Sequence, residues 1–199
     1  DFEDQKVPRA VKKVNPAIAK AVRLIVMSLK NGGRLFFFGA GTSGRLGVLE
    51  AAECPPTFNT PPSLVQAVMA GGKRAVFRSQ EGAEDRGDEA RRRVRKKVKR
   101  NDVVVGVSAS GVTPFVNGAL SEAKKLGAKT VLVACNSSSP GPKVDVLIAP
   151  VTGPEVIAGS TRLKAATAAK LVLNRLTVAS MVRLGKVYEN WMVDLQPRS

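Results

Sequence analysis

Histidine is absent from all 199 residues. Its absence excludes an imidazole general base, a Ser–His–Asp triad and any His–Cys zinc site. Acid–base chemistry is left to carboxylates, lysines or the one tyrosine. Cysteine is scarce too: Cys54 and Cys135 stand far apart, without metal-like spacing, and no metal is expected. Aromatics make up 5% of the chain and are not interleaved with basic residues, unlike a platform that stacks single-stranded nucleic acid. No apolar run approaches the roughly 18 residues that cross a bilayer. The N-terminal DFEDQKVPRAVKK lacks the apolar stretch of a signal peptide. A cytoplasmic protein with no membrane partner is therefore expected.

Acidic residues are in the minority, with 16 Asp+Glu against 32 Lys+Arg and a formal charge of +16. That excess raises nucleic acid or an anionic small ligand as a partner. Much of it, however, sits in RRRVRKKVKR at 91–100, where Val94 and Val98 share a helical face. An acidic EGAEDRGDE precedes it, so acid near the start and base near the end complement the helix dipole. A solvated amphipathic helix is expected there, and nucleic acid as a partner is not.

What is present is an ordinary globular composition, 44% hydrophobic and 24% charged, long enough for one core. Asn15-Pro16 opens a helix over about 15–31, stopped by NGG. RLFFFGA (34–40), SLVQAVMAGG (63–72), DVVVGVSASG (102–111), KTVLVACN (129–136) and VDVLIAP (144–150) read as buried strands. Helices are expected after the first strand, over about 114–127, and over about 160–185. SSSPGPK reads as a loop and 186–199 as a C-terminal tail. Short apolar runs alternating with helices predict a single α/β domain, a five-stranded parallel sheet flanked by helices on both faces.

Ligands of such sheets bind beyond the carboxyl ends of strands, where the strand order reverses. Two strands end in loops suited to an anion. FGAGTSGRLG supplies Gly39, Gly41 and Gly44 with the hydroxyls of Thr42 and Ser43. VSASGVTP supplies Ser108, Ser110, Gly111 and Thr113 at a helix start. The first loop matches G-x-G-x-x-G, but no acidic residue follows the second strand as a nicotinamide dinucleotide would require, which argues against NAD. The stretch EAAECPPTFNTPP (50–62) is odd in another way: it predicts a helix ending near Glu53, followed by a stiff Cys-Pro-Pro turn. A carboxylate at that end opposes the dipole, and an apolar surround would keep it protonated.

The motifs GRLFFFGAGTSGRLGVLEAAECPPTF, EGAED, SASGVTP, GPEVIAGSTRLKAATAAKLVLN and GKVYENWMVDLQP together resemble N-acetylmuramic acid 6-phosphate etherases. That family belongs to the sugar-isomerase (SIS) group of phosphosugar-binding domains, and the resemblance spans nearly the whole chain. It implies a three-layer SIS sandwich over 1–199 without the family's C-terminal helical region, and a homodimer. It also implies cleavage of the D-lactyl ether of a phosphorylated amino sugar, in cell-wall amino sugar recycling, by elimination and then addition of water, with no cofactor needed.

By motif position, the resemblance makes Glu53 the proton donor and Glu84 the base at C2. It assigns the phosphate to Thr42, Ser43, Gly44, Ser108, Ser110, Gly111 and Thr113, and sugar or lactate contacts to Glu155, Ser160, Thr161 and Lys164. The segment around Glu84 is expected to open the basic helix, where a carboxylate is favoured as a base. The family's ASGRTPY is altered here, with Val112 for the arginine and Phe115 for the tyrosine. The alternative on the same scaffold is a non-catalytic sugar-phosphate regulator resembling glucokinase regulatory protein.

Overall fold

A computed structural model describes residues 2–136 and 141–193. Part of the SSSPGPK loop (137–140) and the end of the expected tail (194–199) lie outside the described residues. Two helices, α1 (Lys6–Lys13) and α2 (Asn15–Lys30), lead into the sheet. There follow β1 (Leu35–Gly39), α3 (Gly41–Phe58), β2 (Val65–Met69), α4 (Gly72–Phe77), α5 (Gly87–Lys97), β3 (Val103–Val107) and α6 (Pro114–Lys125). The chain continues through β4 (Lys129–Val133), β5 (Val146–Ile148), α7 (Lys164–Arg183) and a small hairpin, β6 (Val187–Tyr188) with β7 (Trp191–Met192).

The main sheet has the order β2-β1-β3-β4-β5, and every pairing in it is parallel. Its strands read as continuous apolar runs because both faces are covered. Along β1, Leu35 and Phe37 join a core made with α1, α2, α3 and α7, while Phe36 and Phe38 join a second core made with α5 and α6. On β3, Val103, Val105 and Val107 face the first core and Val104 the second. This is the three-layer arrangement expected from the sequence.

The strand order reverses between β1 and β3, the second and third strands of the sheet. The loops that follow these two strands therefore flank the crevice at which such sheets take ligands. The helix does not end at Glu53, and Cys-Pro-Pro is not a turn: α3 runs through Pro55 and Pro56 to Phe58. Cys54 and Phe58 are buried four residues apart and hold this last turn against the core, and Asn59, with φ of 49°, closes it in the left-handed conformation. Packing thus outweighs the roughly 3 kcal/mol that an interior proline costs a helix.

Candidate active site

The turn from β1 into α3 brings two backbones into contact. A Cβ on Gly39 would lie 2.7 Å from the Gly44 nitrogen, and one on Gly44 would lie 2.8 Å from the Gly39 carbonyl oxygen. Without side chains at both positions the chain turns at once into α3, placing Thr42 and Ser43 on the wall of a cleft of about 290 Å³. The first N–H groups of α3, at Gly41, Thr42 and Ser43, have no intrahelical acceptor and carry the positive end of the helix dipole. This end of the helix suits an anion.

The loop after β3 forms the facing wall with Ser108, Ser110 and Thr113. Its hydroxyls are linked, Ser108 Oγ lying 2.7 Å from Thr113 Oγ1 and 3.4 Å from Ser110 Oγ. Gly111 takes a φ of 78° and its N–H donates to Ser108 Oγ at 3.0 Å. Gly44 and Gly111 therefore shape the two loops and do not themselves line the cleft.

Glu84 is the carboxylate among the described lining residues. It is exposed, next to the buried Ala83 that anchors its segment. It does not open the basic helix as the sequence suggested: α5 begins three residues later, and its first turn carries Asp88 and Glu89 instead. Residues of the first turn have two acidic side chains of their own to complement the dipole, which leaves Glu84 in the preceding turn, facing the cleft.

Glu53 lies elsewhere. It is exposed on α3 and lines a separate cavity of about 190 Å³ with Glu50, Lys170 and Asn174. The dipole effect falls off within the last helical turn, and Glu53 stands before that turn, so the expected opposition of the helix end is absent. Its neighbour Glu50 is the buried carboxylate, at 5% exposure. Burial pushes the Glu50 carboxyl up, while a hydrogen bond from Thr177 and the charge of Lys170 oppose the shift. Burial also pushes the thiols of Cys54 and Cys135 up to about 12, so neither is a thiolate nucleophile.

Glu155 and Lys164 are occupied with structure. The N–H groups of Lys164 and Ala165 each donate to a Glu155 carboxylate oxygen at 2.9 Å, which caps α7. The Lys164 ammonium is buried and bonded to Glu3. Ser160 stays outside the cleft lining, whereas its neighbour Thr161 is part of it. Sequence reasoning missed Arg45 as a cleft residue. The residue lines the cleft, and its guanidinium donates to the carbonyls of Val76 at 2.7 Å and Ala75 at 2.8 Å, near the end of α4. The available signal was a cation two residues beyond the Thr-Ser pair of TSGR. Among the described residues, no group of three or more Cys, Asp or Glu is placed to hold a metal. No described helix is long and apolar enough to cross a membrane.

Comparison with known proteins adds to this picture. Phosphoheptose isomerases from Francisella tularensis and Neisseria gonorrhoeae share the fold, each with a TM-score of 0.69. They are 19% and 17% identical in sequence, and cover 89% and 90% of this chain and 94% and 93% of their own. In sequence, the chain is 56% identical to the N-acetylmuramic acid 6-phosphate etherase of Symbiobacterium thermophilum, over 98% of this chain and 65% of that protein. It is 53% identical to that of Rhizobium rhizogenes, over 98% of this chain and 64% of that protein. The chain thus spans just under two thirds of the length of these curated relatives. The family model described as the glucokinase regulatory protein N-terminal SIS domain matches residues 17–124, more than half of the chain, and the chain belongs to that SIS-domain family.

Proposed function

We propose that the protein is a cytoplasmic N-acetylmuramic acid 6-phosphate etherase, acting through its SIS domain. The observation that carries this reading is Glu84 on the rim of a hydroxyl-lined anion cleft, in a chain more than half identical to such etherases. The 6-phosphate sits between the two loops, held by Thr42, Ser43, Ser108, Ser110 and Thr113 and by the N-terminus of α3. In the open-chain form of the sugar, the C1 aldehyde acidifies the proton on C2. Glu84 takes that proton, the bond from C3 to the lactyl oxygen breaks, and Glu53 protonates the departing D-lactate. Water then adds to the unsaturated aldehyde, hydroxyl to C3 and hydrogen to C2, giving N-acetylglucosamine 6-phosphate.

Glu53 needs a second copy to take that part. It stands ten residues beyond Ser43 on the same helix, about 15 Å at 1.5 Å per residue, which is beyond the reach of a hexose phosphate anchored at Ser43. Arg45, Leu49 and Glu53 recur every four residues and form one stripe along α3. Leu49 and Val178, which line one cavity with Glu53, are exposed on this side of the molecule. In a homodimer with antiparallel α3 helices and its two-fold axis near Leu49, Glu53 of the partner subunit comes opposite Arg45, at the cleft. Glu53 then acts across the interface.

The test is release of D-lactate from N-acetylmuramic acid 6-phosphate by the full-length protein. Absence of lactate with tight binding of another hexose phosphate would overturn this reading and favour a non-catalytic sugar-phosphate regulator.

A further inference from the structure

Glu50 is a buried carboxylate that neither phosphate binding nor the elimination uses. It lies on α3, one turn before Glu53, in the seam with α7. Both of its oxygens are taken: Thr177 Oγ1 donates to Oε2 at 2.7 Å, and Asn174 Nδ2 donates to Oε1 at 2.8 Å. Asn174 Oδ1 accepts in turn from Lys170 Nζ at 2.5 Å. Residues 170, 174 and 177 recur at helical spacing, so one face of α7 closes on a single carboxylate.

Packing alone does not call for this arrangement. Apolar residues of similar volume often replace buried polar networks at no loss of stability, and a network that is fully satisfied specifies one geometry. The titratable and charged groups that face Glu50 are Lys170 on α7 and Glu53 and Cys54 on α3. Glu53 opens onto the same cavity, above the network and on the exposed side.

We propose that Glu50 is a positioning residue for Glu53: bonded to Asn174 and Thr177, it fixes the rotation of α3 and hence the direction in which Glu53 leaves the surface. The inference rests on Glu53 being the proton donor. Rotation about a helix axis moves an outward side chain far more than it moves the axis. The phosphate loop at the start of α3 is pinned separately by the Gly39–Gly44 contact. Loss of the network therefore acts on catalysis before it acts on binding.

The experiment uses the full-length protein with Glu50→Gln, Glu50→Asp and Thr177→Val, next to Glu53→Gln. Glu50→Gln should lower kcat for lactate release about tenfold or more, because misplacing a reacting group by an ångström costs up to about a hundredfold. KM for the phosphosugar and the affinity for inorganic phosphate should stay within about twofold, as the anchoring loops are untouched. Glu50→Asp, which keeps both acceptor oxygens, should recover part of kcat. Thr177→Val removes one donor at constant volume, should lower kcat at unchanged KM, and serves if Glu50→Gln fails to fold. A purely structural role predicts instead that thermal stability and phosphate affinity fall together. Inactive Glu53→Gln beside unimpaired Glu50→Gln and Thr177→Val overturns this inference alone. Active Glu53→Gln overturns the proton-donor reading and this inference with it.

Discussion

The backbone N–H of Phe115 donates to the carbonyl of Glu84 at 2.8 Å. This bond joins the first turn of α6 to the segment that carries the candidate base. The hydroxyl loop 108–113 leads directly into that turn, so anion site and carboxylate are coupled through the main chain. Glu84→Gln should leave this bond intact, since only the side chain changes. Lactate release should fall by about 10²–10⁴, the usual contribution of a positioned general base, with phosphosugar affinity retained. Exchange of the C2 proton with deuterated solvent should stop as well, and persistent exchange would refute Glu84 as the base.

Glu53 and Glu84 are expected to serve one reaction from two subunits. Glu53→Gln and Glu84→Gln homodimers should each be inactive, and mixing them with subunit exchange should restore lactate release. At equal amounts about half of the dimers are mixed, each with one intact site, so recovery approaches about a quarter of parental activity. Two inactive variants that never complement one another would place both glutamates within one chain's site.

Arg45 brings a cation to the cleft wall while it holds the end of α4. Arg45→Gln should weaken inorganic phosphate binding about tenfold or more, as hydrogen bonds to charged groups contribute about 1.5–3 kcal/mol. Titration calorimetry with phosphate reads this without reference to turnover. Unchanged affinity would restrict Arg45 to supporting α4.

Arg95 Nε donates to Glu122 Oε1 at 2.6 Å, and this bond holds the Glu122 carboxyl below its ordinary value despite burial. A carboxyl lowered in the folded state stabilises it fully above the unfolded value, and that contribution is lost as pH falls through the folded value. The melting temperature of the parent should exceed that of Glu122→Gln at neutral pH. The gap should close on acidification below the ordinary glutamate range, in thermal melts from neutral to acid. A gap independent of pH would refute the ion pair as its source.

Gly106 faces the second core where no side chain fits: a Cβ there would lie 2.6 Å from Val116 Cγ1 and 2.7 Å from Leu120 Cδ1. Gly106→Ala should destabilise the fold by about 1–3 kcal/mol through overpacking. The melting temperature should drop by about 2–4 °C per kcal/mol for a domain of this size.

Much of this architecture can be read from residue patterns, because fully buried parallel strands leave long apolar runs. The runs at 34–40, 63–72, 102–111, 129–136 and 144–150 all contain the strands of the sheet, shortened at their ends. The end of the third run, Ser108 to Gly111, became part of the cleft wall and its supporting turn. Weak signals were lost. In KVPRAVKK, four cations and a proline obscure Val7, Ala10 and Val11, whose spacing nevertheless buries them, the two valines in the core shared with α7. The proline sits in the first turn, where no intrahelical N–H bond is lost. The short α4 and the β6–β7 hairpin, with no more than six residues in any element, left no periodic pattern to find.

Residue types and their local spacing alone determined the α/β class, the absence of imidazole chemistry and the two hydroxyl-bearing loops, because these properties belong to single segments. Tertiary structure decided the rest. The strand order placed both loops on either side of one crevice, and the burial of Cys54 and Phe58 carried α3 past two prolines. The same packing left Glu53 exposed and sealed Glu50 against α7, a choice between two carboxylates one helical turn apart. Which of two neighbouring carboxylates meets solvent depends on the helix docked against them, and no local pattern contains that partner.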